Sequence, residues 1–259
     1  MHMAGILKET AKWSSLMICG LIAACSGKSA EGGKSTTNVA AAEPPAVTAA
    51  EPAHALVTVL PGAAVPADFS ERMAAARQAP GALKVVVLSA QPGPEPAGFQ
   101  SLAILDFRDE ASLQQWMQTF SASGVQVRQC DVLAHDASDS AGPASATSYY
   151  AVNHYEVLVT PPEYADYTVK YIVPNMAHQK STGALLAYTM YVERAPQGEH
   201  PKSVLVKQYG SPEEQARGEA AKEIYKKDVL MKQPEWKQIN DTKTTIRNDL
   251  TETFARAVD

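Results

Sequence analysis

Cysteine is scarce: three in 259 residues, with no CxxC pair, which excludes a disulfide framework and a paired-thiolate zinc site. Positive charge is not in excess. The chain has 23 Lys and Arg against 28 Asp and Glu, a formal charge of −5, so no nucleic-acid partner is expected, because a general binder needs a basic stripe to displace counterions. No GxSxG, HExxH, EF-hand or Walker pattern occurs, which leaves the serine-hydrolase, zinc-peptidase, calcium and nucleotide chemistries without a motif. Gly32-Gly33-Lys34-Ser35 has the tail of a phosphate loop, but Lys28 stands where its first glycine belongs. What is present is an ordinary globular composition, 45% hydrophobic and 20% charged with 15 Gly and 17 Pro. The length suits one or two domains.

Residues 1–24 read as a targeting segment. Lys8 and Lys12 precede a mostly apolar run from Trp13 to Ala24, too short to span a hydrocarbon core, which takes about 20 residues. Small residues then precede a cut site. Leu21-Ile22-Ala23-Ala24-Cys25 resembles a bacterial lipobox, although Ile22 stands where leucine is commoner. The resemblance implies that Cys25 is lipidated, becomes the mature N-terminus and anchors the chain in a membrane. Ser26, with no aspartate beside Cys25, implies the outer membrane, facing the periplasm. The alternative is a soluble secreted chain with an incidental cysteine. Residues 25–53 are rich in Ser, Thr, Gly, Ala, Pro and Glu without apolar periodicity, the composition of a flexible tether. Cys130 is then left alone in a strand, where it reads as a buried thiol.

From residue 54 the apolar pattern alternates between periods of 2 and 3.6. Residues 54–135 read as βαββαβ, residues 136–148 as a linker, and residues 149–259 as βαββα followed by an extra C-terminal helix from Pro234 toward Val258. Repetition of one element order predicts two similar α+β units side by side.

The stretch Phe99-Gln-Ser-Leu-Ala-Ile-Leu-Asp-Phe107, followed by Arg108-Asp-Glu-Ala-Ser-Leu-Gln-Gln-Trp116, resembles the second half of the dimeric α/β-barrel superfamily. Ala79-Pro-Gly-Ala-Leu83 is similar to the close of that family's first helix. Val204-Leu-Val-Lys-Gln-Tyr209-Gly-Ser-Pro-Glu-Glu214 repeats the strand and helix start in the second unit. The resemblance implies two ferredoxin-like units whose sheets pair into one barrel, here within a single chain. It also implies a range of activities: cofactor-free monooxygenases, haem-degrading enzymes, lactone isomerases and members without known activity. Haem-degrading members use an asparagine on the first strand, a helix tryptophan and a histidine late in the second helix. Asn153 matches the first, but Trp116 belongs to the other unit and no histidine follows it in its helix. Haem ligation in that manner is therefore not expected, and no cofactor is.

Candidate chemistry concentrates in the second unit. Helical spacing over residues 163–180 puts Ala165, Val169, Ile172 and Met176 on one apolar stripe, and Tyr164, Thr168, Tyr171, Asn175 and His178 on the next. Pro174 interrupts the helix ladder. Strand alternation puts His154 and Glu156 on one face, with Asn153 and Tyr155 on the other. His154 and His178 are the candidate bases, and Tyr164, Tyr171, Asn175, Asn153 and Glu156 the candidate ligand-binding groups. His154 and Glu156 lack a third ligand at metal spacing, so no metal is expected. His54 and His200 read as solvated surface.

Three functions follow as expectations. The first is an envelope lipoprotein that binds a small apolar or aromatic ligand or a partner. The second is a cofactor-free barrel enzyme, of monooxygenase or isomerase type, acting on an aromatic compound. The third is a structural envelope protein, which requires an exposed apolar patch.

Overall fold

The computed structural model describes residues 51–93, 96–120, 123–137 and 147–258. The targeting segment, Cys25, nearly all of the tether and most of the linker lie outside the described residues.

The first unit runs β1 (Ala53–Val59), α1 (Phe69–Arg77), β2 (Ala82–Ala90), β3 (Ser101–Phe107), α2 (Glu110–Thr119) and β4 (Val125–Ala137). The second runs β5 (Tyr149–Val157), α3 (Pro161–Tyr167), a π turn (Thr168–Ile172), α4 (Val173–Ser181), β6 (Leu185–Glu193), β7 (Lys202–Tyr209), α5 (Pro212–Asp228), α6 (Pro234–Thr242) and β8 (Arg247–Val258). The eight strands close into one antiparallel barrel in the order β1-β3-β2-β8-β5-β7-β6-β4. Each unit contributes the same local order, 4-1-3-2 in the first and 8-5-7-6 in the second. The seams are β2 on β8, with Leu88 opposite Ala257, and β4 on β6, with Cys130 opposite Glu193. Two ferredoxin-like units therefore make the barrel within one chain.

The C-terminal helix is a correction. A helix spans only Pro234–Thr242, and the segment after Lys243–Thr245 is the strand β8. Ile246, Leu250 and Phe254 are four residues apart and mimic a helical stripe, but Thr253, Ala255 and Ala257 alternate as buried positions. Asn248 and Asp249 are poor helix formers, and Thr251, Thr253 and Phe254 suit a pleated surface. Strand geometry wins because β8 fills the gap between β5 and β2, pairing with β5 along nearly its whole length and with β2 over Ala255–Val258. The strand also completes the second βαββαβ unit.

Local chemistry sets several boundaries. Asp109 caps α2 by accepting from Ser112 N at 2.7 Å. Thr160 and Glu163 form a capping box at α3, and Ser211 accepts from Glu214 N at α5. Gly81 has φ +81°, and a Cβ there would collide with Ser112 Oγ, so the turn between α1 and β2 requires glycine. In the π turn, Val173 N–H reaches Thr168 O, five residues back. The re-spaced ladder stands just ahead of Pro174, which has no N–H to give.

Three apolar clusters follow from strand alternation. The lumen holds residues from all eight strands and none from a helix, including Leu56, Leu88, Leu102, Tyr150, Val206 and Ala257. It is filled. The first helix layer packs Phe69, Met73, Leu113 and Trp116 on Val57, Leu105 and Phe107. The second packs Tyr164, Tyr167, Tyr171 and Met176 on Tyr155, Leu205 and Tyr209. Among the described residues no helix is long and apolar enough to cross a membrane.

Candidate functional site

The lumen side chains are almost wholly buried, and the open space lies in the helix layers. In the second unit a cavity of about 390 Å³ lies between α4, α5 and the outer face of β5, β7 and β8. That volume falls within the range of small-molecule sites, about 300–1,000 Å³. Strands supply Asn153, Tyr155, Leu205 and Lys207, and the helices supply Tyr171, Asn175, Met176 and Glu219. The turn into β8 and its first residues supply Lys243, Arg247, Asp249, Thr251 and Glu252.

The helix face that meets the cavity differs from the apolar stripe expected. Val169 is 57% exposed, whereas Tyr164, Tyr167, Tyr171, Asn175 and Gln179 are buried. Aromatic area explains this rotation, because burying three tyrosine rings, two with their hydroxyls bonded, yields more than burying one valine. Tyr164, Tyr167, Tyr171 and Trp236 stack in sequence, with ring centroids 5.6, 5.1 and 4.8 Å apart. Burial pushes the hydroxyls of Tyr155, Tyr164, Tyr167 and Tyr171 above the usual tyrosine range, which keeps them protonated.

Arg247 is the most unusual wall residue. It is 8% exposed, and its guanidinium lies 3.7 Å from the Tyr155 ring centroid and 5.5 Å from that of Tyr167, a cation held on aromatic faces. Nε lies 3.1 Å from Asp249 Oδ1 without the alignment of a hydrogen bond, and Nη1 also lacks an acceptor. Asn175 Nδ2 donates to Tyr171 O at 2.8 Å and Asn153 Nδ2 to Glu252 Oε1 at 3.0 Å, yet the Oδ1 atom of each asparagine is buried without a donor. Lys207 Nζ, almost fully buried, is shared by Glu219 at 3.0 Å and Glu252 at 3.4 Å. Burial alone would raise the Glu219 carboxyl, but Lys207 and Lys222 outweigh it and hold the group at about 2.

Of the residues singled out in the sequence, Asn153, Tyr171 and Asn175 face this cavity, and His154 borders it from the other face of β5, with its ring turned to the lumen side. His154 packs against Phe99 at 5.9 Å and lies 3.4 Å from Thr251 Oγ1. Burial, seconded by Lys202, pulls its pKa down to about 4, so the ring is neutral at pH 7. Gly98 crosses directly over this pair, and a Cβ there would sit 3.0 Å from His154 Nδ1. The remaining candidates lie elsewhere. Tyr164 is fully buried and bonded to Ser203 Oγ at 2.6 Å. Glu156 accepts from Asn248 Nδ2 at 2.8 Å and is not paired with His154. His178 stacks on Tyr225 of α5 at 4.1 Å, outside the cavity lining.

Sequence reasoning missed Arg247, Lys207 and Lys243. Arg247 fell in the stretch read as helix, and Lys207 in a strand where a charge has no periodic signature. His54 was read as solvated, but it is half-buried with Nδ1 2.7 Å from Asp106 Oδ1. Cys130 lies opposite it on β4, buried at 2% exposure, where desolvation pushes the thiol far up and makes it a poor nucleophile. Among the described residues no group of three His, Cys, Asp or Glu could hold a metal ion. A second hollow, of about 300 Å³, lies between α1 and α2 against Pro80, Trp116 and Phe120. Arg72 is its one charged wall residue, so it lacks acid–base groups.

No family model and no curated protein sequence matches the chain. Solved structures do. A candidate monooxygenase from Fusobacterium nucleatum superimposes with a TM-score of 0.51 at 11% identity, over 82% of this chain and 94% of that one. An anthrone oxidase-like protein gives 0.49 at 13% identity, over 80% and 91%. A heme-degrading enzyme from Listeria monocytogenes gives 0.39 at 12%, over 78% and 98%. At such identities the likeness speaks for the fold alone, which is the dimeric α/β-barrel.

Proposed function

We propose that the chain is an α/β-barrel enzyme that binds a small aromatic compound in the second unit's cavity and removes a proton from it. One observation carries this reading: a cavity lined by Tyr155 and Tyr171 has wall residues, Asn153, Asn175 and Arg247, with buried polar atoms that lack a partner. Buried polar groups cost free energy unless they are bonded, so such a chamber is made for a polar guest. Tyr171 presents a ring to the guest and its hydroxyl donates to Asn240 Oδ1 at 3.0 Å, which fixes the ring's position. His154, neutral at pH 7 and set at the cavity's edge where β5 turns its ring toward Phe99, is the group that accepts the proton from an acidic O–H or C–H of a substrate reaching that edge. The product of that step is a delocalised aromatic anion, an intermediate shared by isomerisation and by direct reaction with dioxygen.

In the same reading Cys25 carries lipid and holds the enzyme at the outer membrane, facing the periplasm. The support is the run Leu21 to Cys25 and the tether composition that follows it. Intact mass of the protein from a bacterial host tests it: a diacylglyceryl adduct is expected and should vanish in Cys25→Ala.

The chemistry is tested by deuterium exchange at the acidic C–H of α-tetralone, followed by NMR, and by dioxygen uptake with 1,4-dihydroxynaphthalene. Wild type should accelerate at least one of the two, and His154→Gln should lose about two orders of magnitude, the usual worth of a general base. Binding of both compounds without acceleration would turn the reading to a non-enzymatic ligand carrier.

A further inference from the structure

We infer that the guest of this cavity is a hydroxylated aromatic carboxylate, its carboxylate held by Arg247 and Lys243 and its hydroxyl by Asn153 and Asn175. The inference rests on the cavity being a site for aromatic compounds and adds the polar groups that the compound must carry.

Five cationic side chains line the cavity: Lys207, Lys222, Lys226, Lys243 and Arg247. Three are occupied. Lys207 is shared by Glu219 and Glu252, Lys222 pairs with Glu219, and Lys226 faces Glu223 at 4.0 Å. Two are left with donors to spare. Arg247, 8% exposed, has Nε and Nη1 without a hydrogen bond. Lys243, half-buried and four residues earlier, has no carboxylate within ion-pair distance among the described residues. Asp249 lies 3.1 Å from Arg247 Nε but leaves Nη1 without an acceptor; a buried donor left so is costly, and an incoming anion lowers that cost.

The unfilled acceptors are of a different kind. Asn153 Oδ1 and Asn175 Oδ1 come from β5 and α4, and the amide nitrogen of each is already committed. Committed nitrogens fix the amide orientations, so these oxygens require a donor from the guest. A phenolic hydroxyl is a donor of that kind. A carboxylate fits the cationic end better than a tetrahedral anion, because it is coplanar with its ring and the guest must lie flat against Tyr171.

Calorimetric titration of the full-length protein with 1-hydroxy-2-naphthoate, 1-hydroxy-2-naphthamide and 1-naphthyl phosphate tests the assignment. The acid should bind about ten- to a hundredfold tighter than the amide, the worth of one or two charge-assisted bonds. Lys243→Gln and Arg247→Gln should each shrink that preference, weakening the acid by more than the amide. Should Arg247→Gln fail to fold, the rim variant Lys243→Gln and the acid–amide comparison still decide. Equal affinity for acid and amide overturns the carboxylate assignment and leaves the aromatic cavity standing. Tighter binding of the phosphate overturns it in favour of a phosphorylated guest. Failure of all three to bind overturns the assignment and the aromatic reading together.

Discussion

The two helix layers share one topology and differ in almost everything else. Over the first unit, α1 and α2 bury Phe69, Met73, Leu113 and Trp116 against apolar strand residues. Over the second, a longer helical segment buries tyrosines, Asn175 and Gln179 against Arg247 and Lys207. Of the eight buried polar side-chain atoms without a partner among the described residues, seven belong to the second unit, Gln129 Nε2 being the exception. A protein kept only for stability would not maintain that asymmetry, since each such atom costs roughly 1–3 kcal/mol. In the proposed reading one unit holds the barrel together, while the other gives up stability for binding.

The comparison breaks most visibly in the dry layer. Phe107 is fully buried between strand and helix, and Phe107→Ala should cost about 3–5 kcal/mol in urea unfolding; a loss under about 1 kcal/mol would mean that the first layer is as loosely constrained as the second. Acid comes next. The Glu219 carboxyl, held at about 2, is depressed below its unfolded value near 4.3. Its contribution is whole above that value and disappears as pH falls through about 2. His154, lowered to about 4, is also depressed, and unfolding there takes up a proton between about 6.5 and 4. Stability should thus fall as the solution is acidified through that window, by up to about 1.4 kcal/mol per pH unit. His154→Gln should flatten the upper part of the curve, and Glu219→Gln the lower part.

Smaller effects sharpen the contrast. Arg247→Met keeps volume and removes the under-bonded charge, so it should leave stability unchanged or raise it by about 1–2 kcal/mol, while ligand affinity falls. A loss above about 2 kcal/mol would make Arg247 a structural residue. Smallest of all, Val169→Ser on the exposed side of the π turn should shift stability by less than about 0.5 kcal/mol. The apolar stripe expected from the sequence would instead make it a core lesion.

The barrel was legible because turn chemistry and period agreed along most of the chain: Pro80-Gly81, Gly124, Gly183 and the Ser211-Pro212 cap all stand at element ends. The last strand was not. Its lumen face is made of Thr253, Ala255 and Ala257, which are too small to register as a period of 2, and Ile246, Leu250 and Phe254 supplied a false period of 3.6. The cost fell on the site, since Arg247 entered with that segment. Asn153, His154, Tyr171 and Asn175 were found because polar residues beside an apolar stripe stand out. Which of them share a chamber, and that His178 and Glu156 do not, depends on how the helix rotates over the sheet, and spacing alone does not set that angle.

The π turn at Thr168–Ile172 behaves as a spacer of one residue. An α-helix advances about 100° per residue, so a chain shortened by one amino acid there would run as a smoother helix and carry everything beyond it around by that angle. Asn175 and Gln179 would leave the sheet face, and the neighbours that now look outward would take their places. The irregularity thus works like an index mark. It lets the tyrosines before it and the amides after it share the buried side of the helix, and it makes a single-codon deletion in this helix more disruptive to packing than most substitutions within it.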